Sequence, residues 1–252
     1  MRWARQGVLV IGVGAIVLGA ASPGGAQTIG YTGTVFVARS TYETERVGSA
    51  YFFNAVDVTG GRFRVSASIP LIRQEITPLD PLADPAVSAP WTNAGLGDPL
   101  IRLDVLVVDD WRHALQIGAV GSLKPALVDA ADGLGTGVAD YAAGVSAFKA
   151  VGGTVLLADA MFWKYGDPEG IDFENSLSYS FGVGRTLGTG RWSTIASFAG
   201  FSPIGDASPP LLLTIGVMRL VGRTQSLAIN AGFGLTDSST DFSIGTSWRI
   251  QN

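Results

Sequence analysis

Residues 176–184 read Ser-Leu-Ser-Tyr-Ser-Phe-Gly-Val-Gly, with a small or polar residue at every even position and an apolar residue at every odd one. Residues 62–69, Arg-Phe-Arg-Val-Ser-Ala-Ser-Ile, repeat the pattern. A side-chain period of two is typical of a β-strand whose two faces meet different surroundings. In a soluble sandwich the apolar face packs in the core, whereas in a membrane barrel it faces lipid and the polar face lines the lumen.

The N-terminus indicates export. Arg2 and Arg5 precede an uncharged, mostly apolar run at residues 7–20, and the small residues Gly24 and Ala26 stand where a leader peptidase cuts. This order is that of a secretory signal, and the run is shorter than the roughly 20 residues that a membrane helix needs. We therefore predict a signal peptide at residues 1–26, in preference to a retained anchor, and an exported barrel domain at residues 27–252.

The composition narrows the class of protein and its partners. The chain has no cysteine, so an exported fold cannot rely on disulfides. Without Arg2 and Arg5, 15 basic residues face 21 acidic ones, a net charge of −6 that disfavours a nucleic-acid partner. Beyond the signal no apolar run approaches the length of a spanning helix, so membrane residence requires a barrel.

Twelve alternating segments follow the signal. The predicted strands lie at residues 28–38, 46–57, 61–72, 98–108, 112–123, 139–150, 153–163, 174–186, 191–201, 210–221, 224–235 and 239–250. Short turns alternate with longer, polar links at residues 39–45, 73–97, 124–138, 164–173, 202–209 and 236–238. Bacterial barrels have even strand numbers, short periplasmic turns and longer outside loops. The sequence therefore predicts an all-β protein, a twelve-stranded antiparallel up-and-down transmembrane β-barrel, in the outer membrane of a Gram-negative bacterium.

The same alternation assigns charged residues to the lumen. An arginine or lysine on the lipid face near the midplane costs about 2–4 kcal/mol, so charges within strands are expected inside. The lumen-facing candidates are Arg62, Arg64, Arg102, Asp104, Asp159, Asp241 and Arg249. Phe52 and Met218 are also assigned to the interior. The charges either form a polar eyelet that selects solutes or pair across a packed lumen, and the sequence leaves both open.

Two features predict outer-membrane lipid and lipopolysaccharide as partners. Aromatic residues near strand ends, among them Trp111, Trp192 and Trp248, are typical of interfacial girdles. The long links are acidic, and they either form a solvated rim or bind divalent cations that bridge to lipopolysaccharide phosphates. Their carboxylates are Glu43, Glu45, Glu75, Asp80, Asp84, Asp129, Asp132, Asp167, Glu169, Asp172, Asp206 and Asp237. No metal site and no cofactor is predicted.

Residue patterns for catalysis are scarce. His113 is the one histidine of the sequence, which with the lack of cysteine disfavours a cysteine protease or a zinc–histidine cluster. An outer-membrane phospholipase needs a serine beside its imidazole. The next residue on the same strand face, two positions after His113, is Leu115, and no GxSxG nucleophile elbow is present in the sequence. We predict no catalytic residue.

Two stretches resemble a known family. Residues 95–103 resemble the GxGD segment that opens a strand in the outer-membrane family linked to the meta-cleavage pathway of phenol degradation. Residues 123–125 and 132–141 are similar to that family's strand-end proline and its LGTG-x-x-D segment. The residues that carry the resemblance are Gly95, Gly97, Asp98, Pro125, Gly135, Gly137 and Asp140. The resemblance implies a barrel that helps hydrophobic or aromatic compounds cross the outer membrane, and it implies no catalytic residue.

These observations predict an outer-membrane channel or transporter for passive uptake of small, hydrophobic or aromatic solutes. A plugged barrel whose acidic loops act as an adhesin or receptor stays an alternative. A membrane-embedded lipid-modifying enzyme and a soluble periplasmic β-protein are further alternatives. The identity of the solute and the oligomeric state are left open by the sequence.

Overall fold

The computed structural model describes residues 27–42, 44–79, 89–168, 172–188, 190–202 and 208–252. The predicted signal peptide at residues 1–26 lies outside the described residues, as do the loop carboxylates Glu43, Asp80, Asp84, Glu169 and Asp206. The described strands are β1 (Thr28–Thr41), β2 (Glu45–Gly60), β3 (Phe63–Pro78), β4 (Trp91–Leu96), β5 (Leu100–Asp110), β6 (Leu115–Lys124), β7 (Asp140–Val151), β8 (Thr154–Lys164), β9 (Ser176–Leu187), β10 (Trp192–Phe201), β11 (Leu211–Leu220), β12 (Gln225–Gly234) and β13 (Phe242–Gln251). A 3-10 helix spans Ala130–Asp132. Within these ranges no helix has the length and apolar character to span a membrane.

The strands form one closed sheet. All paired strands are antiparallel, and the sheet closes because β1 pairs with β2 and β13 while β2 also pairs with β3. Thirteen strands fill twelve positions, since β3 pairs with β5 through residues 63–68 and with β4 through residues 71–76. Closure leaves no exposed sheet edge around most of the wall, as a bilayer requires. The predicted twelve-stranded antiparallel barrel is confirmed.

One position of the wall is divided between β4 and β5. The division falls at residues 97–99, Gly-Asp-Pro, where the pairing with β3 changes from one strand to the other. Opposite this point Pro70 of β3 has no N–H to donate, but its carbonyl oxygen accepts a 2.9 Å hydrogen bond from the Gly97 amide. A Cβ on Gly97 would lie 2.9 Å from Cγ of Pro70, so this close crossing requires glycine.

The prediction of one long link at residues 73–97 is therefore wrong. β3 continues to Pro78 and β4 occupies Trp91–Leu96. Arg73 and Glu75 made the stretch resemble a loop, yet both are exposed residues of β3 near its extracellular end. A charge at that level no longer faces the centre of the bilayer and costs little.

The two faces of the strands differ as the alternation predicts for a membrane barrel. On β9, Leu177, Tyr179 and Phe181 are exposed, whereas Ser176 and Gly182 are buried. The same pattern runs along β1, where Val35 and Val37 are exposed and alternate with less exposed residues. The apolar residues thus cover the outside of the barrel. Small and polar residues face inward.

Tight turns join the strands at one end of the barrel. Gly152 and Gly153 form the two-residue link between β7 and β8 with φ of +56° and +80°, the left-handed values of a type I′ hairpin turn. The link between β5 and β6 differs from its prediction, because residues 111–114 form the turn and β6 begins only at Leu115. The Asp110 carboxylate holds that turn by accepting from the Arg112 amide at 3.1 Å and the His113 amide at 3.2 Å.

Candidate functional site: the lumen and its extracellular mouth

Charged side chains meet inside the barrel on the side of β5 to β8. The Arg102 guanidinium contacts the Asp104 carboxylate at 2.9 Å and the Asp159 carboxylate at 2.8 Å. β5 and β8 are separated in the wall by β6 and β7, so this contact passes through the interior. All three side chains are largely shielded from solvent. A shielded charge is stable only with such partners.

A second group of charges lies around Asp57 of β2. Asp57 accepts hydrogen bonds of 2.6 Å and 3.0 Å from Arg249 of β13 and lies 3.6 Å from Arg64 of β3. The Asp57–Arg249 contact crosses over β1, where Gly30 leaves room for it. A Cβ on Gly30 would lie 2.7 Å from Oδ1 of Asp57. Sequence reasoning missed Asp57, although its alternation with the outward Val56 and Val58 carried the signal.

The two groups join into one row of alternating charge. Arg64 of β3 lies directly opposite Asp104 of β5 in the strand register. The row, which we name the charge belt, consists of Arg249, Asp57, Arg64, Asp104, Arg102 and Asp159. Its three positive and three negative charges balance. The Nε atom of Arg64 is buried and has no hydrogen-bond partner in the described part of the chain.

Other predicted lumen residues take different positions. Arg62 is not on a strand, because it lies in the turn before β3, where its guanidinium donates to the Val107 carbonyl oxygen at 3.4 Å. Asp241 is an exposed residue just before β13. Phe52 faces outward with 37% of its surface exposed, which corrects its assignment to the interior. The reason is the register of β2, in which Tyr51 and Phe53 share the inward face with the buried Asp57.

An aromatic cluster lines the interior toward the extracellular side of the charge belt. The ring of Tyr51 lies 6.0 Å from that of Phe36 and 5.8 Å from that of Phe53. Gln74 donates a 3.3 Å hydrogen bond to the Tyr51 hydroxyl. Tyr51 stands six residues from Asp57 along β2, a distance of about 20 Å at 3.3–3.4 Å per residue. We name these three residues the inner aromatic cluster.

A second aromatic group stands at the extracellular end of β8. The rings of Trp163 and Tyr165 are stacked 6.2 Å apart, and Phe173 lies 6.4 Å from Tyr165. Trp163 donates from Nε1 to Ser178 at 3.0 Å, and the Tyr165 hydroxyl lies 2.9 Å from that of Ser176. Burial raises the pKa of the Tyr165 phenol, which therefore stays protonated at neutral pH. We name Trp163, Tyr165 and Phe173 the mouth aromatic cluster.

Residues of the family-like motifs meet beside this mouth. Lys124 donates from Nζ to Asp98 at 2.8 Å, to Thr136 at 2.8 Å and to the Val138 carbonyl oxygen at 2.9 Å. It also lies 3.3 Å from Asp140. Asp98 further accepts from the amides of Leu127, Val128 and Thr136. We name Asp98, Lys124, Thr136 and Asp140 the loop anchor, because together they hold residues 125–139 in place.

The remaining motif residues make the loop anchor possible. Pro125 follows the last residue of β6 directly. A Cβ on Gly135 would lie 2.9 Å from the Asp98 carboxylate, and a Cβ on Gly95 would lie 2.9 Å from Leu134. Gly137 has a φ of +69°. The family resemblance identified these residues from the sequence. Their contacts with one another are visible only in the folded structure.

The anchored loop borders a cavity at the extracellular mouth. The cavity has a volume of about 820 Å³ and lies between β4 and residues 127–134. Trp91 and Asn93 line one side of it, and the Asn93 amide donates to the Asp132 carbonyl oxygen across it. Within the described chain β4 pairs with β3 alone, so its other edge faces this loop.

The predicted sites for other chemistry lie apart from the lumen. His113 is in the β5–β6 turn, where its Nδ1 lies 2.6 Å from the Asp110 carboxylate. No serine hydroxyl contacts its ring in the part of the chain that the structure describes. The described residues also contain no group of three histidine, cysteine or acidic side chains that could hold a metal ion.

A closed sheet with apolar residues outside and paired charges inside defines a transmembrane β-barrel of the outer-membrane type. Neither a protein-family model nor a curated protein matches the sequence. Solved structures are similar in fold. An outer membrane channel from Pseudomonas putida F1 superposes with a TM-score of 0.69 over 92% of this chain and 97% of that chain, at 11% identity. The translocator domain of the autotransporter NalP from Neisseria meningitidis gives a TM-score of 0.52 over 90% and 88%, at 10% identity.

At these identities the likeness shows the fold alone. Both solved structures are barrels of outer-membrane proteins, in agreement with the predicted location. The first is a channel and the second a translocator. The fold is thus one that carries transport in other proteins.

Proposed function

We propose that this protein is an outer-membrane channel for passive uptake of small solutes, and that hydrophobic or aromatic solutes are preferred. The observation that carries the proposal is the order of groups along the interior. The mouth aromatic cluster stands at the extracellular end, the inner aromatic cluster follows, and the charge belt lies nearest the periplasmic turns. The resemblance to the family linked to phenol degradation supports the same class of solute.

Two aromatic clusters followed by the charge belt favour the passage of a flat, apolar solute. Aromatic rings offer offset-stacked or edge-to-face contacts worth about 0.5–1.5 kcal/mol beyond burial, which is enough to favour a ring without holding it. Passage requires binding that is weak and repeated at several sites. Two aromatic clusters in series meet that requirement. The charge belt then forms a polar ring that a solute has to pass.

Uptake into proteoliposomes tests the preference. L-phenylalanine and L-alanine carry the same charges and differ by one phenyl ring, so their relative flux reports the effect of the ring on passage. We expect the channel to favour phenylalanine and Trp163→Leu to lower the ratio by about two- to tenfold, since one stacking contact is lost. Trp248→Leu is the matched control, because Trp248 is exposed on the outer face. A parent channel that does not favour phenylalanine would refute the aromatic preference, and equal ratios for the three proteins would refute the role of Trp163 in it.

A plugged barrel remains the second candidate function, and the pairing of the charge belt favours it. Every carboxylate of the belt lies within 3.6 Å of an arginine or directly opposite one, so the belt can pack as a closed layer. In that case the acidic extracellular loops would act as a receptor or adhesin. Planar-bilayer recordings decide between the candidates. A correctly folded barrel that never conducts ions, with loss of cell adhesion when residues 125–139 are replaced, would establish the second.

A further inference from the structure

Four arginines lie at the periplasmic end of β9 to β12. Arg185 belongs to β9 and Arg219 to β11, while Arg191 and Arg223 stand in the turns beside them, and all four are exposed. From residue 176 to residue 235 the sequence holds one acidic residue, Asp206, which falls between β10 and β11 outside the described residues. We name these four residues the arginine patch. It carries a local charge of +4 without a neighbouring carboxylate on these strands.

The arginine patch faces outward, toward lipid. Arg219 lies directly opposite Trp192 in the strand register, and its guanidinium sits 5.2 Å from the centre of the indole ring. Trp192 in turn lies opposite Leu187, and both are exposed on the outer face. Arg185 follows Phe181 and Val183 on the exposed face of β9. The two strand arginines thus continue the lipid-facing surface.

The position of Trp192 sets the level of the patch in the membrane. Tryptophan is enriched where acyl chains meet headgroups, and an arginine on the lipid face is costly at the bilayer centre but tolerated near the interface. Guanidinium groups at this level meet lipid phosphates. Their fork of donors matches the two free oxygens of a phosphodiester. The tight turns mark this end as periplasmic, where the facing leaflet is made of phospholipid.

The rest of the periplasmic rim has no comparable cluster of positive charge. Arg62 and Arg112 stand on the side of β2 to β6, but Asp109 and Asp110 share that side. Asp110 accepts a hydrogen bond from the amide of Arg112 itself. Asp109 and Asp110 thus offset the two arginines on that side, and Lys149 near the end of β7 adds a single positive charge, so the largest excess of positive charge lies on β9 to β12.

We propose that the arginine patch binds the headgroup of anionic phospholipid in the periplasmic leaflet. Arg185 and Arg219 lie two strand spacings apart, on either side of β10, and two residues apart along the register, since Arg185 and Val217 both lie opposite Thr194. This places their Cα atoms about 12 Å apart, given strand spacings near 4.8 Å and 3.4 Å per residue. Two such long side chains can converge on one phosphate between them, above Thr194 and Trp192.

Lipid selectivity of the reconstituted full chain tests the proposal. The barrel is placed in vesicles of phosphatidylcholine and phosphatidylglycerol at four to one, and spin-labelled forms of each lipid report the motionally restricted fraction at the protein surface. We expect phosphatidylglycerol to be favoured over phosphatidylcholine. Arg185→Gln with Arg219→Gln should reduce this preference at least twofold. Arg185→Lys with Arg219→Lys should keep most of it.

Arg62→Gln with Arg112→Gln removes the same charge from the same rim and is the matched control. Heat-modifiable migration on gels verifies that each variant is folded. An equal loss of preference in the control would mean that overall charge governs the effect and would overturn the proposal. An unchanged lipid preference in the Arg185 and Arg219 variant would overturn it as well. If that variant instead lost co-sedimentation with purified peptidoglycan, the patch would be assigned to the cell wall.

Discussion

At the scale of single residues, Asp98 holds two separate segments of the chain together. Its carboxylate accepts from three backbone amides and from Lys124, and 5% of its side chain is exposed. Lys124 in turn donates to Thr136 and lies close to Asp140. A single carboxylate therefore ties the β4–β5 division to the loop at residues 125–139. The charge is needed because a neutral amide cannot satisfy the same four donors.

Asp98→Asn is expected to destabilise the barrel by about 1–3 kcal/mol, since an amide oxygen leaves at least one of the shielded donors around Asp98 unsatisfied. Urea unfolding in lipid vesicles, followed by heat-modifiable migration, measures the change. Asp132→Asn is the control. It removes the same charge from the same loop, but Asp132 is exposed. Similar midpoints for both variants would contradict the role given to Asp98.

At the scale of elements, the barrel wall depends on close approaches between strands. Gly144 of β7 faces inward beside β8, and a Cβ there would collide with the Ala160 carbonyl oxygen and lie 2.7 Å from Cα of Met161. These are backbone atoms of the neighbouring strand, so the clash cannot be relieved by turning a side chain. By contrast, a Cβ on Gly121 of β6 would lie 4.0 Å from the Ala142 carbonyl oxygen, which is an ordinary van der Waals contact.

Gly144→Ala should therefore destabilise the barrel by about 1–3 kcal/mol, the usual range for overpacking, whereas Gly121→Ala should leave the stability near that of the parent. Urea unfolding midpoints of the two variants give the comparison. A midpoint for Gly144→Ala that matches that of Gly121→Ala would show that β7 and β8 can separate without cost at this point.

The division between β4 and β5 shows where strand prediction fails. The alternating apolar residues of β9 were sufficient to predict that strand, because its two faces meet lipid and lumen along nearly its whole length. The upper part of β3 carries Arg73, Glu75 and Pro78, which resemble a loop. Those residues stand above the bilayer centre, so the alternation that lipid imposes is no longer required there. The pairing with β4 is visible only in the fold.

At the scale of the whole molecule, charge differs between the two ends and along the lumen. The acidic residues of the described loops, such as Asp129 and Asp167, stand at the extracellular end, whereas the arginine patch lies at the other. Inside, the charge belt is balanced. Because these charges balance, a change in one of the belt residues alters the net charge of the whole belt.

Single substitutions in the charge belt are expected to shift ion selectivity in opposite directions. Asp57→Asn leaves the belt with one positive charge in excess and should move the reversal potential in a potassium chloride gradient toward anion preference. Arg249→Gln leaves one negative charge in excess and should move it toward cation preference. Planar-bilayer recordings measure both. A shift of the same sign in the two variants would place the conducting path elsewhere.

The orientation of the barrel can be tested because the chain has no cysteine. A cysteine introduced by Asp132→Cys should react with a membrane-impermeant maleimide on intact cells, since Asp132 lies in the extracellular loop at residues 125–139. A cysteine introduced by Arg223→Cys, in the β11–β12 turn, should react only after the outer membrane is permeabilised. The reverse labelling pattern would invert the orientation and move the arginine patch to the outer leaflet.

The class of fold and the direction of the strand faces could be predicted from the order of residues, because the bilayer imposes a period of two, with apolar residues facing lipid, locally on every strand. The same pattern also indicated Arg64, Arg102, Asp104, Asp159 and Arg249 as strand charges on the inner side. Which of these charges contact one another is visible only in the folded barrel. The partner of Arg102 lies three strands away on β8, and that of Arg249 lies across β1 at Asp57. Such contacts depend on the register of the strands and on the closure of the sheet. Both are properties of the whole barrel, so the local sequence pattern does not predict them.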